Sequence, residues 1–349
     1  MKKITMGIVG YGGMGSYHVR ELIKNEEKFQ LKGGFDILPQ RQSALKEAGY
    51  LAYESYQALL DDPEIELILI ATPNDTHKEL AVTALNSKKH VLTEKPAMMN
   101  ATELEEVLAI AEKNQREFFV HQNRRWDEDF RIISEIFNQQ EIGAIFKIES
   151  RVHGANGIPG DWRHYKAQGG GMVLDWGVHL LDQMLFLVPG KIEKVQADLS
   201  YVLGNDVDDG FNTTLYFENG LTVLVEVGTS NYLKLPRWYL KGLKGTAEII
   251  DWDLTGEMVQ ATGIDTAAPK PIQAGVGLTK TMAPPTEGAM RRLPLPKGEA
   301  LPVSIYENIY EVIENKGQRI VKNEEVLRVL HLMEIIFEAG SRQEILPFE

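Results

Sequence analysis

Ile4-Thr5-Met6-Gly7-Ile8-Val9-Gly10-Tyr11-Gly12-Gly13-Met14-Gly15 decides the fold of this 349-residue chain. The apolar, β-branched run from Ile4 to Val9 reads as a short buried strand. It runs straight into Gly10-x-Gly12-x-x-Gly15, and a helical pattern that includes Val19 to Ile23 follows. Strand, glycine turn and helix in that order make a phosphate cradle. Gly10 permits the tight turn, Gly12 lets backbone approach a pyrophosphate, and Gly15 lets helix and strand pack closely, while the helix N-terminus favours the anion. Tyr11, Gly13 and Met14 belong to the same turn. The next run, Leu31 to Phe35, is broken by Gly33 and Gly34 and ends at Asp36, about 20 residues beyond the last glycine. An acid there accepts hydrogen bonds from a ribose 2′-hydroxyl and repels a 2′-phosphate. NAD is therefore expected over NADP, with Arg41 close enough in sequence to act as the counter-signal for a 2′-phosphate.

The same alternation continues outward. Glu66 to Ala71 is apolar at nearly every position and reads as a strand buried on both faces. Leu80, Ala81, Ala84 and Leu85 follow helical spacing, His90 to Thr93 is strand-sized, Leu104, Val107, Leu108 and Ala111 mark a helix, and Phe118 to Val120 a strand. Strands alternating with helices imply a doubly wound parallel sheet, an α/β domain of the Rossmann type over residues 1–121. From residue 122 the texture changes. One amphipathic helix (Ile132 to Phe137) and an apolar helix (Val173 to Leu187) accompany strand-like runs at 146–152, 195–202, 211–217, 221–227, 238–240 and 247–250, with a hairpin signal at Glu218-Asn219-Gly220. Residues 122–349 are thus expected to form an α+β domain on an open, mainly antiparallel sheet, closed by helices at 306–313 and 326–337. Residues 263–303, rich in Pro, Gly, Ala and Thr, read as a long loop.

Composition narrows the function. Lys+Arg number 37 and Asp+Glu 50, a formal charge of −13, so broad electrostatic binding to nucleic acid is not expected. There is no cysteine, which removes disulfides, thiolate nucleophiles and Cys-ligated zinc. No run approaches the ~18 apolar residues of a membrane helix, and Met1 to Gly10 lacks a signal-peptide core. A cytoplasmic protein with no membrane partner is the expectation.

Two further constellations carry chemistry. Glu94-Lys95-Pro96 follows the strand His90 to Thr93, where strand C-termini line the ligand crevice. A lysine there can donate to, or take a proton from, a substrate oxygen. Its bland alternative is a solvated strand-end lysine. Asp175, His179 and Asp182 stand at i, i+4 and i+7, which on an α-helix share one face, and a polar stripe on an apolar helix is costly to bury without partners. That face reads as functional. The alternatives are two acids satisfying a core histidine, or a divalent metal site, for which no further ligand cluster is evident. Gly169-Gly170-Gly171 just before it would let backbone approach a ligand closely.

Taken together, the glycine turn, Glu-Lys-Pro after a strand and Gly-Gly-Gly followed by Asp-x-Gly-x-His-x-x-Asp resemble the glucose–fructose oxidoreductase, inositol dehydrogenase and rhizopine catabolism (Gfo/Idh/MocA) family, in order over nearly the whole chain. Ala71-Thr72-Pro73-Asn74-Asp75-Thr76-His77 is similar to that family's loop along the cofactor crevice, so Ala71, Thr72, Pro73, Asn74 and His77 join Glu94 and Lys95 as cofactor-side residues. Asn123-Arg124-Arg125-Trp126-Asp127 resembles a crossover segment of inositol dehydrogenase-like members, implying Asn123 near the cofactor and Arg124 near the substrate. Trp162-Arg163 resembles a pair that approaches the nicotinamide end.

The resemblance implies a hydride transfer between NAD(H) and a sugar, inositol or related polyol. Lys95 would hold the reacting oxygen, His179 would exchange the proton, and Asp175 would orient a hydroxyl or the imidazole. Which of Lys95 and His179 is the base stays open. The same family resemblance extends to non-catalytic NAD-binding regulators and NAD-dependent glycosidases. An open sheet with one uncovered face further implies a homodimer or homotetramer. The reading of Asp36 predicts a higher kcat/KM with NAD than with NADP. Equal efficiency with the two would contradict it.

Overall fold

The computed structural model describes residues 2–263 and 288–349. Most of the stretch expected to be loop, residues 264–287, lies outside the described residues. The chain opens with β1 (Ile4–Val9), α1 (Gly13–Lys24), β2 (Phe29–Phe35), α2 (Pro39–Glu47), β3 (Leu51–Ala52) and α3 (Tyr56–Leu60). It continues with β4 (Leu67–Ile70), α4 (His77–Asn86), β5 (His90–Thr93), α5 (Ala101–Asn114) and β6 (Phe118–Val120). These six strands pair in parallel in the order β3-β2-β1-β4-β5-β6. The order reverses between β1 and β4, so the crevice opens at the carboxyl ends of those strands. Leu67 to Ile70 are all fully buried, as an uninterrupted apolar run demands when helices cover both faces.

Helix α1 starts bare. Its N-cap is Gly12, no side chain caps it, and no acid occupies its first turn. The unsatisfied N–H groups at such an end are free to take an anion. Gly10 holds φ at +88°, and a Cβ on Gly15 would lie 2.2 Å from the Gly10 carbonyl oxygen. The turn therefore tolerates no side chain at Gly15 without moving the helix off the strand.

A second sheet follows α6 (Glu128–Asn138). Its strands are β7 (Ile145–His153), β8 (Ile192–Ser200), β9 (Gly210–Phe217), β10 (Thr222–Gly228), β11 (Trp238–Gly242), β12 (Gly245–Ile249), β13 (Gly256–Ala261), β14 (Met290–Leu293) and β15 (Leu346–Pro347). They run in the order β14-β13-β12-β11-β7-β10-β9-β8-β15. All neighbours are antiparallel except β7 and β10, which are parallel because β7 inserts between the β9–β10 hairpin and β11. Burial alternates along β10, so one sheet face meets the core while the other is open. The covering helices include α7 (Val178–Leu187) and α9 (Asn323–Arg342), whose apolar residues join one cluster with Val195, Leu215, Val223 and Trp238. Helix α8 (Ile305–Ile313) instead sends Tyr306, Ile309 and Tyr310 into the cluster of Ile4, Ile8, Phe29 and Phe119, on the first sheet. A C-terminal element thus completes the core of the N-terminal one.

Two expectations need correction. Within the stretch expected to be loop, Met290–Leu293 forms an edge strand on β13; its Met-Arg-Arg-Leu sequence is polar and its residues exposed, so alternation was invisible. The helix expected from Val173 is not one α-helix: Val173–Gly177 is a π-helical turn leading into α7. Among the described residues, no helix is long and apolar enough to cross a membrane.

Gly15→Ala should cost ~1–3 kcal/mol, the usual price of overpacking a tight site. A urea unfolding curve with an unchanged midpoint would contradict the close approach described here.

Candidate active site

The glycine turn closes on the acid at the end of β2. The Tyr11 N–H donates to Asp36 Oδ2 at 2.7 Å, and Leu38 N–H to Asp36 Oδ1 at 2.9 Å. Arg41 Nη1 lies 3.4 Å from the same Oδ2, and its guanidinium sits over Gly12. Asp36 and Arg41, which argued for opposite cofactors, are therefore side by side, the acid buried and the base exposed. A Cβ on Gly13 would meet nothing within 4 Å, and one on Gly12 only the Arg41 guanidinium. Open backbone, free helix N–H groups and a buried acid fit a dinucleotide. Met14 is partly exposed at the rim.

The loop after β4 behaves differently from the expectation. Ala71, Thr72 and Pro73 are half-buried along the crevice. Asn74 is buried, and its amide donates to Gly169 O at 2.8 Å, tying the first domain to the glycine stretch of the second. His77 is fully buried, with its ring nitrogens 3.0 Å from Pro96 O and Thr72 O. It braces the β4 loop against Lys95-Pro96, which is a cis peptide. Glu94 is also buried, and its Oε1 lies 2.6 Å from His18 Nε2 and 2.8 Å from His121 Nδ1.

Lys95 crosses to the second domain. Its Nζ donates to the Asp175 carbonyl at 2.8 Å and to Asp175 Oδ1 at 3.0 Å. Arg163 Nε donates to the other carboxylate oxygen at 3.1 Å, while its Nη1 bonds Asp161 and its guanidinium lies 4.6 Å from the centre of the Trp162 ring. Burial pushes the Asp175 carboxyl up, but Lys95 and Arg163 outweigh it and hold it below the ordinary carboxylate range. The carboxylate is thus engaged by two cations and not by the imidazole.

His179, one turn on, is buried and held well below its ordinary range by burial first and then by the Lys95 and Arg124 charges. It is neutral at physiological pH, and its Nδ1 has no hydrogen-bond partner among the described residues. A neutral imidazole beside a cation–carboxylate pair can accept a proton from a group that the lysine holds.

The rest of the expected stripe is structural. Asp182 takes a two-point bond from Arg125, at 2.8 Å and 2.6 Å, deep in the core, so its role is to satisfy that arginine. Burial raises the Asp182 carboxyl even so, with Arg125 opposing. The neighbouring Arg124 points elsewhere: its guanidinium lies 4.4 Å from the Trp176 ring centre and 5.4 Å from that of Trp252, and Nη1 bonds Asp127. Asn123, half-buried, opens the same 3₁₀ turn.

The three glycines are closely packed by neighbouring chain. A Cβ on Gly170 would lie 2.2 Å from Arg163 O, and one on Gly171 2.2 Å from Asp208 Oδ1. They admit neighbouring chain. Asp208 Oδ2 accepts from Met172 and Val173 N–H at 2.8 Å each, clamping the start of the π turn. Asp208, Trp176, Trp252, His18 and His121 were missed from sequence, being isolated residues brought together only by the fold.

Comparison with known proteins supports the fold. Residues 4–122 match the family model of an oxidoreductase family with an NAD-binding Rossmann fold, and residues 130–248 match the GFO/IDH/MocA C-terminal domain. A crystal structure of an NAD-binding protein from Listeria innocua is 52% identical, covers 99% of this chain and 97% of that one, and superimposes with a TM-score of 0.91. An uncharacterized oxidoreductase of Bacillus subtilis, YrbE, is 30% identical over 64% of this chain and 67% of its own. Inositol 2-dehydrogenase of Salmonella typhimurium is 29% identical over 64% of this chain and 67% of its own. Fold and site define a Rossmann-fold oxidoreductase. The chain belongs to the Gfo/Idh/MocA family.

Four histidines are held below 6.5: His18, His77 and His179 by burial first, and His90 to about 4 by burial and Arg116. A depressed folded value stabilises the fold above the unfolded pKa, and that contribution is lost as pH falls below it. Asp208, raised to about 6 by burial, works the other way, as do Asp182 and Asp127, whose carboxyls burial also raises, three groups against four. The urea midpoint should therefore fall as pH drops from 6.5 toward 5. A midpoint that holds or rises over that window would contradict this charge assignment.

Proposed function

We propose that the chain is an NAD-dependent dehydrogenase acting on a hydroxyl of a sugar, inositol or related polyol, or on the carbonyl in reverse. One observation carries the reading: a lysine from the end of β5, its counter-ion Asp175 and a neutral buried His179 converge from two domains beside the crevice. Three elements of chemistry are needed to oxidise an alcohol. The oxygen must be held, its proton removed and the hydride on its carbon accepted. Lys95 Nζ donates to the oxygen and steadies the charge that grows on it as the C–H bond weakens. His179 accepts the hydroxyl proton and becomes imidazolium. A bound nicotinamide supplies the hydride acceptor. Asp175 keeps Lys95 aimed. Asp36 at the end of β2 supports NAD through the ribose hydroxyls, with Arg41 as the residue that would admit a 2′-phosphate. Arg124, fixed against Trp176 and Trp252, supports a substrate contact on the His179 side. The inositol 2-dehydrogenase relative supports a polyol as the substrate class.

NADH formation across a panel of sugars and inositols tests this directly. At least one should be turned over, and Lys95→Met and His179→Asn should each lower kcat by roughly 10²–10⁴-fold while NAD still binds. Because His179 is held well below 6.5, the wild-type rate should stay flat as pH falls to 6.5 and drop only at lower pH. Near-normal rates in both variants, or an acid limb above 6.5, would contradict the mechanism. NAD binding with no turnover on any polyol would favour a regulatory protein instead.

A further inference from the structure

Beneath the crevice lies a polar cluster that the proposed mechanism does not use. His18 on α1, Glu94 at the end of β5 and His121 just past β6 are 0%, 5% and 1% exposed. Glu94 Oε1 sits between His18 Nε2, at 2.6 Å, and His121 Nδ1, at 2.8 Å. Its Oε2 accepts from the Lys95 backbone N–H at 3.2 Å. His18 Nδ1 in turn meets the Tyr306 hydroxyl of α8. The His18 and His121 rings lie against each other, tilted by 54°, with centroids 4.3 Å apart.

The three candidate ligand atoms lie within 4.8 Å of one another, as a metal site would require. Atoms bound to zinc at ~2.0–2.1 Å, however, sit about 3.3 Å apart around it. The contacts here are shorter, so the cluster is a carboxylate hydrogen-bonded to His18 Nε2 and in close polar contact with His121 Nδ1, whose geometry falls short of a hydrogen bond. Burial pushes Glu94 up, but the two imidazoles outweigh it and hold the group well below the ordinary range, so it is ionised. Burial leaves His18 neutral.

Desolvating a carboxylate is expensive unless something uses its charge. Asp175, the other acid near Lys95, is already matched by Lys95 and Arg163. Among the described residues Glu94 has no lysine or arginine on its carboxylate, and it lies one residue from Lys95 at the strand ends that floor the crevice. The ligand that belongs there changes charge in its reaction. An oxidised nicotinamide ring carries +1 and a reduced ring is neutral.

We propose that the buried Glu94 carboxylate, fixed by His18 and His121, biases the site toward the oxidised form of its nicotinamide cofactor. The network is an electrostatic device for the cofactor, independent of which polyol is the substrate. It rests on NAD being the dinucleotide bound.

Calorimetric dissociation constants for NAD⁺ and NADH, with the full-length chain and its Glu94→Gln variant, test the proposal. The ratio Kd(NAD⁺)/Kd(NADH) should rise roughly tenfold in the variant, through weaker NAD⁺ binding, as expected for one unit charge removed a few ångströms away in a partly desolvated site. An unchanged ratio, or both constants moving by the same factor, overturns the proposal, because a purely structural role moves both forms alike. A second measurement needs no variant. An NAD analogue with an uncharged benzamide ring in place of the pyridinium should bind the wild-type chain about tenfold more weakly than NAD⁺; equal affinity overturns the proposal even if Glu94→Gln fails to fold. One equivalent of zinc retained by the wild type and lost in the variant would also overturn it. If the 2′-phosphorylated pair binds more tightly, the choice of NAD fails, and the same ratio read on that pair decides the inference separately.

Discussion

The pairing of Lys95 with Asp175 is the constraint on which the site depends. The lysine stands at the end of a parallel strand of the first sheet, and the acid on a π-helical turn of the second domain. Neither has a use without the other: a half-buried ammonium needs a counter-ion, and Asp175 stays ionised in its buried position only because Lys95 and Arg163 oppose the cost of burial. Burial keeps the His179 imidazole neutral and so able to take a proton, and joining the pair adds the Lys95 charge to that effect. Buried ion pairs of this kind are weak sources of net stability and better suited to fixing an arrangement.

Several contacts hold the two halves so that this pair can form. Asn74 spans to Gly169, and His77 locks the β4 loop to the Lys95-Pro96 segment. Asp208 clamps the first N–H groups of the π turn. Arg125 anchors Asp182 two turns beyond, and also reaches Glu325 at the start of α9. Helix α8 closes the circuit by packing Tyr306 on the first sheet, where its hydroxyl meets His18. The Lys95–Asp175 pair is therefore supported from four separate stretches of chain.

Much of this was legible in the sequence, and the reason is local physics. The glycine turn between Val9 and α1 works through backbone geometry, so its residues announce it. Leu67 to Ile70 reads as a central strand because both faces are covered. Lys95, Asp175 and His179 stood out because ionisable residues at a strand end or in an apolar helix demand an explanation. What was not legible depends on distance along the chain. The parallel pairing of β7 with β10 is set by strand insertion and leaves no mark in either strand. Asp182 looked like part of the reactive stripe until Arg125, far away in sequence, was seen to claim it. Asn74 and His77 sit in the loop expected to line the crevice, yet spend their polar atoms on the backbone of other segments. The Gly169-Gly170-Gly171 stretch was recognised as a place of close approach, and Arg163 and Asp208 are among the groups that approach it. A π turn in place of an α-helix at Val173–Gly177 is equally silent, since its apolar pattern is the same.

The central claim is that this crevice carries direct hydride transfer between a polyol carbon and the nicotinamide. Incubating the protein with NAD⁺ and a substrate deuterated at the reacting carbon, then locating the label by mass spectrometry and NMR, tests it most directly. The account predicts one deuterium at C4 of the reduced nicotinamide, on a single face, with none exchanged into water. Label that appears in solvent, or no labelled cofactor from a substrate that is consumed, would contradict it.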